Sequence, residues 1–203
     1  RANNSRERKL VAKVSARHPA YMHTFSLTQN KILLSEYPFR LSPLPLMLHL
    51  RPFIYNYRWK QNEKAQFLVI DKETGRVDKI ETDPFFSFHH VNAYEEGDEI
   101  VFDAIVYEDA SIITGSFFYL NDKKISDPDK VKGHYRRYRI KGGSVSIEEV
   151  FEPSVEFPRI NPLFDGKKHR YAYAANFIIN PNNNLESLHA KGLIKYDLEK
   201  RSS

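Results

Sequence analysis

Apolar and polar residues alternate in short runs along this chain, and turn-forming residues separate the runs; nothing recurs at helical spacing over most of its length. That pattern predicts an all-β fold. A first strand is expected over residues 10–16, and then 23–28 and 31–37 pair across Gln29-Asn30, while 66–71 and 76–81 pair across 72–75. Further strands are expected over 86–94 and 100–107 across 95–99, over 112–120, over 135–141 and 145–151 across Gly142-Gly143-Ser144, and over 170–177 and 192–198. The turns are short and polar, as antiparallel hairpins require.

Residues 38–56 break the rhythm. Pro38, Pro43, Pro45 and Pro52 frame Leu44, Leu46, Met47, Leu48, Leu50, Phe53 and Ile54, with room for a short helix over 44–50. The Pro-containing stretch 152–163 reads as an irregular crossing, 180–184 as a surface turn, and 3–8 as a polar entry segment.

A chain of 203 residues and 23.8 kDa with 41% hydrophobic and 13% aromatic residues is long and apolar enough to bury a core, which excludes disorder. Its formal charge of +5 arises from 31 basic and 26 acidic residues scattered along the sequence. Small clusters such as Arg136-Arg137 and Lys167-Lys168 read as solvated surface, so nucleic acid is not an expected partner. With no cysteine there is neither a disulfide framework nor a thiolate nucleophile, and a cytoplasmic setting is expected. The chain begins at Arg1, shows no apolar leader and holds no apolar run long enough to span a bilayer, and it is expected to be an internal piece of a longer protein.

Candidate chemistry concentrates in histidines on strands. In Phe88-His89-His90-Val91-Asn92-Ala93-Tyr94-Glu95 the two consecutive histidines must face opposite sides of a strand, so only one of them can serve a given metal. Neutral imidazoles on different strands can converge on one ion even when distant in sequence, although such spacing carries no local signature. Tyr21-Met22-His23-Thr24-Phe25 and Val155-Glu156-Phe157-Pro158-Arg159-Ile160-Asn161 complete the informative strings.

These three strings resemble the carotenoid cleavage oxygenase family, whose members hold a non-haem iron with four histidines inside a seven-bladed β-propeller. The resemblance runs through nearly the whole chain but covers only the middle of the family's length. It implies that residues 1–203 are the central part of one propeller domain, about four blades at roughly 40–50 residues each; meanders joined by short turns suit such blades. It also implies that His23 and His89 are ligands of Fe2+ and catalytic, with His90 outward or one layer back. Glu156 is implied to orient His89 through a hydrogen bond; a surface glutamate before a Pro turn is the alternative. The first iron histidine is then expected before Arg1 and the last after Ser203, because His189 precedes Ala190 where the family has Gly and neither His134 nor His169 matches. A piece with two ligands is expected to be inactive by itself.

Tyr21, Phe88 and Tyr107 match positions lining the family's substrate tunnel, with core packing as the other reading. Residues 43–54 match an apolar patch at the tunnel mouth. Beside Arg40, Arg51, Arg58 and Lys60, the patch residues Leu44, Leu46, Met47, Leu48, Leu50 and Phe53 suit peripheral docking on a membrane, or else a buried loop capping a blade. The implied reaction is cleavage of one C=C bond of a carotenoid or apocarotenoid by O2, giving aldehyde or ketone fragments. A stilbene-cleaving dioxygenase, a retinyl-ester isomerase of the same family and a metal-free propeller binding protein are the competing readings.

Overall fold

The computed structural model describes residues 8–16, 18–117, 127, 129–151, 153–179 and 188–203. In chain order its strands are Ser26–Leu27 (β1), Lys31–Glu36 (β2), Phe39–Leu41 (β3), Tyr57–Trp59 (β4), Ala65–Asp71 (β5), Val77–Thr82 (β6), His90–Glu96 (β7), Glu99–Val106 (β8), His134–Lys141 (β9), Ser144–Phe151 (β10), Val155–Arg159 (β11), Tyr171–Ile179 (β12) and Leu188–Asp197 (β13). They form four-stranded sheets of order β1-β2-β5-β6 and β10-β9-β8-β7, a three-stranded sheet β11-β12-β13, and the pair β3-β4. Every pairing is antiparallel, so the expected all-β class and all four expected hairpins hold.

Some local expectations give way to tertiary context. Residues 10–16 join no ladder among the described residues; the segment lies against the tight turn at Gly75, where a Cβ would sit 2.4 Å from the Val11 carbonyl oxygen. Residues Ile112–Phe117 form a π-helical turn where a strand was expected. It is started by Asp109, whose carboxylate accepts from the Ser111 backbone at 2.7 Å, and by the Ala110 carbonyl, which accepts from both Ile113 and Thr114. The end of that expected strand, 118–120, falls outside the described residues, as do the turn at 180–184 and residues 3–7. The supposed crossing at 152–163 contains β11, and the apolar excursion 43–54 is bracketed by the β3–β4 pair, with a one-turn helix over Pro43–Met47 (α1).

Two cores hold the sheets together. In the larger, Phe67, Phe85, Phe102 and Tyr138 interlock between the two four-stranded sheets, with ring centroids 5.1–5.9 Å apart. The pairs are edge-on or tilted apart from Phe102 and Tyr138, which stack at 23°, and both arrangements suit the ring quadrupoles. The smaller, with Ile105, Tyr135, Val155, Ala174 and Tyr196, joins β8 and β9 to the three-stranded sheet.

A polar knot sits inside this second junction. Fully buried Asp103 on β8 receives a two-pronged pair from its cross-strand partner Arg137, at 2.8 Å on each oxygen, and a bond from the Tyr135 hydroxyl at 3.0 Å. The buried imidazole of His169 lies with Nε2 3.7 Å from Asp103 and accepts at Nδ1 from the Asn92 amide, 3.1 Å away. Burial pushes the His169 pKa below its usual value; Asp103 pulls it upward, and the Arg137 charge adds to the depression.

Removing Asp103 leaves a largely buried guanidinium without its counter-charge, so Asp103→Ala is expected to cost about 3 kcal/mol in urea denaturation. The joint replacement Asp103→Leu with Arg137→Met should cost less. For His169 the folded pKa lies below the unfolded value of about 6.5, so the unfolded chain takes up the proton first as pH falls. Its stabilising contribution is complete above about pH 6.5 and is lost as pH drops below it. The urea midpoint should therefore fall less steeply between pH 7 and 5 in His169→Gln than in wild type; equal slopes would count against a neutral His169.

Candidate metal centre

The site forms where residues 21–25, 88–90 and 155–157 meet. The stretch 21–25 has no strand of its own, yet it is tied down at both ends. Tyr21 donates its backbone N–H to Phe39 at 2.9 Å, and the Thr24 hydroxyl donates to the Phe88 carbonyl at 2.9 Å while accepting from the His90 N–H at 3.0 Å. Thr24 thus replaces a ladder rung between 21–25 and 88–90. The result is that the His23 and His89 rings stand 5.0 Å apart, centroid to centroid, at 87°.

The two imidazoles are held by the same nitrogen. His89 Nδ1 donates to Glu156 Oε2 at 2.6 Å, and His23 Nδ1 faces the Tyr21 hydroxyl at 3.4 Å. No hydrogen bond from a described residue reaches Nε2 of either ring. Partial burial lowers the His23 pKa, the neighbouring His89 lowers it further, and Glu156 opposes both. His23 is therefore held towards its neutral, ligand-competent form.

Glu156 is largely buried at the end of the β11–β12 pairing, next to a bulge that begins after it. Its Oε2 also accepts from the Phe157 N–H at 2.6 Å, and its Oε1 accepts from the Tyr107 hydroxyl at 3.0 Å. Phe157 adopts the left-handed conformation, φ 55°, and its ring lies 5.4 Å from that of His89. A residue with a Cβ in that region is strained, and here the strain turns the chain so that carboxylate and ring both face His89. Burial, with the Glu156 carboxylate adding to it, pushes the Tyr107 phenol well above its usual pKa.

His90 points the other way, as the strand argument requires, but not to solvent. Its Nδ1 lies 3.0 Å from the Ser26 hydroxyl, and its Nε2 lies 3.2 Å from Ser35 and 3.3 Å from Tyr37, with the ring against Phe102. Of the two placements expected for His90, outward or one layer back, the geometry fits the second: both nitrogens are occupied in the seam between the two four-stranded sheets. Burial, and then the charge on His89, push its pKa down to about 3.

The tunnel candidates surround the histidine pair. Phe88 lies 5.6 Å from the His23 ring and 5.9 Å from Tyr107, and Tyr21 packs against Phe39, Tyr57, Phe86 and Phe88. Tyr21 and Phe88 are half-buried, whereas Tyr107 is buried with its hydroxyl on Glu156.

Against this geometry, residues 2–203 match the family described as retinal pigment epithelial membrane protein. The chain belongs to this carotenoid oxygenase family. It is 30% identical over 230 residues to beta,beta-carotene 15,15'-dioxygenase of Homo sapiens, covering 91% of this chain and 39% of that protein. Carotenoid isomerooxygenase of Galleria mellonella is 29% identical over 182 residues, 81% of this chain and 35% of its own length. The cobalt-substituted apocarotenoid oxygenase of Synechocystis has the same fold, with TM-score 0.73 at 23% identity over 90% of this chain and 37% of that one. The chain therefore spans between 35% and 39% of the length of these relatives, and its sheets are part of a β-propeller.

The donor set fits the family's metal as far as it goes. Two imidazoles binding one divalent ion side by side at about 2.1 Å place their centroids roughly 4.5–5 Å apart, the separation found for His23 and His89. Among the described residues no group of three or more His, Asp or Glu is placed to hold an ion.

Sequence reasoning missed Thr24 and Asn92, although both stand inside the quoted strings. A register shift between His90 and Asn92 re-aims the latter. Its amide donates to the Phe164 and Lys167 carbonyls and to His169, and its oxygen accepts from Gly166. Glu95 in the same string accepts from Thr28 and twice from Asn30, which outweighs burial and lowers its pKa. The signal was present: polar residues at strand positions in the string that had no assigned partner.

The apolar excursion is exposed, not capped. Leu44, Met47, Leu48, Leu50 and Phe53 are each 56–73% accessible, while Leu46 is half-buried. Buried Asn56 stitches the loop by donating to the carbonyls of Arg51, Pro52 and Phe53. Arg51, Arg58 and Lys60 are exposed beside it, but Arg40 is engaged by Glu36 and Glu63. No helix among the described residues is long and apolar enough to cross a membrane.

Proposed function

We propose that this chain is the central part of a full-length propeller enzyme that cleaves one C=C bond of a carotenoid or apocarotenoid with O2, using Fe2+ held in part by His23 and His89. The observation that carries this reading is the perpendicular imidazole pair, each ring fixed through Nδ1 and each Nε2 left available, in a chain whose relatives are named as carotenoid dioxygenases. When bound, ferrous iron supplies the O2 activation that no amino-acid side chain can provide. The residues here do the rest. His23 and His89 present their Nε2 nitrogens, Glu156 fixes the orientation of His89, and Tyr21 and Phe88 form an aromatic wall against which an apolar polyene is held. With two histidines the chain alone is expected to be inactive, and the remaining ligands are expected elsewhere in the full-length protein.

The exposed leucines over 43–54 favour a lipophilic substrate drawn from a membrane over a water-soluble stilbene. Burial of that apolar face in the acyl boundary, with Arg51, Arg58 and Lys60 at the headgroups, would bring the protein to its substrate.

In the full-length protein His89→Ala is expected to remove nearly all bound iron and all activity. His90→Ala should keep the iron while lowering thermal stability, because it empties a hydroxyl-lined seam and leaves Ser26, Ser35 and Tyr37 without their shared partner. Metal analysis of the purified variants decides between them; equal iron loss would overturn the assignment. Separately, Leu48→Glu with Leu50→Glu should abolish co-sedimentation with liposomes at an unchanged melting temperature, and activity on detergent-dispersed substrate should outlast activity on vesicles. Failure of the wild type to bind vesicles would sink the docking reading.

A further inference from the structure

We propose that Tyr107 is a positioning residue that acts on His89 through Glu156, and that its hydroxyl is not part of the substrate wall. The proposal rests on His89 being an iron ligand. Tyr107 stands just past β8, where its backbone pairs with Phe86 through reciprocal bonds of 2.8 and 3.0 Å, so the ring cannot shift along the chain. Its side chain is 3% accessible overall, and the hydroxyl ends on Glu156 Oε1 at 3.0 Å. The other oxygen of the same carboxylate takes the His89 imidazole and the Phe157 N–H, both at 2.6 Å.

A carboxylate held on one side only can turn about its last bond and exchange its oxygens. Donors on both oxygens fix its plane and reserve Oε2 for the imidazole. The contact depends on Gly133, which opens the path for β11 to approach Tyr107. A Cβ there would meet the Val155 carbonyl oxygen at 2.4 Å, Ile105 Cγ2 at 2.8 Å and Tyr107 Cζ at 3.2 Å, and Val155 donates its N–H to the Gly133 carbonyl at 2.9 Å. Two of those atoms belong to the strand carrying Glu156 and to the ring that holds it. Any larger residue would separate them.

The test is a double-mutant cycle in the full-length protein, read by Fe(II) affinity, by the ligand-field absorption of the Co(II)-loaded form, and by the split of KM and kcat. Tyr107→Phe keeps the ring and removes only the donor. It is expected to weaken Fe(II) binding by about 10-fold, the low end for a group that orients a metal ligand, to shift the cobalt bands in the same direction as Glu156→Gln, and to leave KM within about twofold. In the Glu156→Gln background the same change should have almost no further effect, because coupled residues are not additive. A parallel variant with 3-fluorotyrosine at 107 keeps the shape and sharpens the donor, and should move the cobalt bands the opposite way even if Tyr107→Phe does not fold. Unchanged metal affinity with a raised KM, full additivity with Glu156→Gln, or unmoved bands in the fluorinated protein would each overturn the positioning role while leaving the iron reading intact. Retention of metal by His89→Ala would overturn both.

Discussion

The geometry of the site hangs on one hydroxyl. Residues 21–25 have no strand partner to fix their height against the sheet that follows, and Thr24, by donating to Phe88 and accepting from His90, supplies the missing rung. A side chain doing backbone work lets the segment stay extended and aperiodic, with Tyr21 turned into the aromatic cluster and His23 set beside His89. A regular strand at the same place would have carried those side chains alternately to opposite faces at fixed spacing, and the pair would depend on register alone.

Support from the opposite side comes through Glu156, which joins the three-stranded sheet to the end of the four-stranded one that carries His89. The smaller core and the Asp103–Arg137–Tyr135 knot lie beneath this junction. Packing and polar order therefore work at different depths: aromatic and aliphatic contact sets the distance between the sheets, and a few hydrogen-bonded polar groups set their angle. Buried polar groups of this kind specify an arrangement more than they stabilise it, since much of their attraction offsets desolvation.

Much of this was legible in the sequence, for identifiable reasons. Alternation and short polar turns are local signals, and the hairpins they predict over 66–81 and 135–151 and the strand over 100–107 are found within a residue or two. That His89 and His90 diverge follows from adjacency on extended chain, and the structure bears it out. The partnership of His23, His89 and Glu156 was readable only by resemblance, because residues that converge from separate sheets leave no spacing to detect. The π-helical turn at 112–117 was misread because Ile112 and Ile113 favour strands, whereas Asp109 and the Ala110 carbonyl decide the local backbone. Residues 10–16 had the pattern of a strand but pair with no described strand. Thr24 and Asn92 stayed invisible because a lone polar residue in a strand announces a partner without saying which.

The run from His89 to Glu95 also works as a register lock. Consecutive histidines make a strand unusually sensitive to slippage: a shift by a single residue would carry the hydroxyl-bound imidazole to the Glu156 side and bury the other. Asn92, clamped to four groups of the 164–169 loop, and Glu95, clamped to Thr28 and Asn30, grip the strand from two different neighbours at two different heights. Sliding would break both grips at once. The choice between two identical side chains is thus made away from the histidines themselves, by an amide and a carboxylate that bond to neither of the two rings.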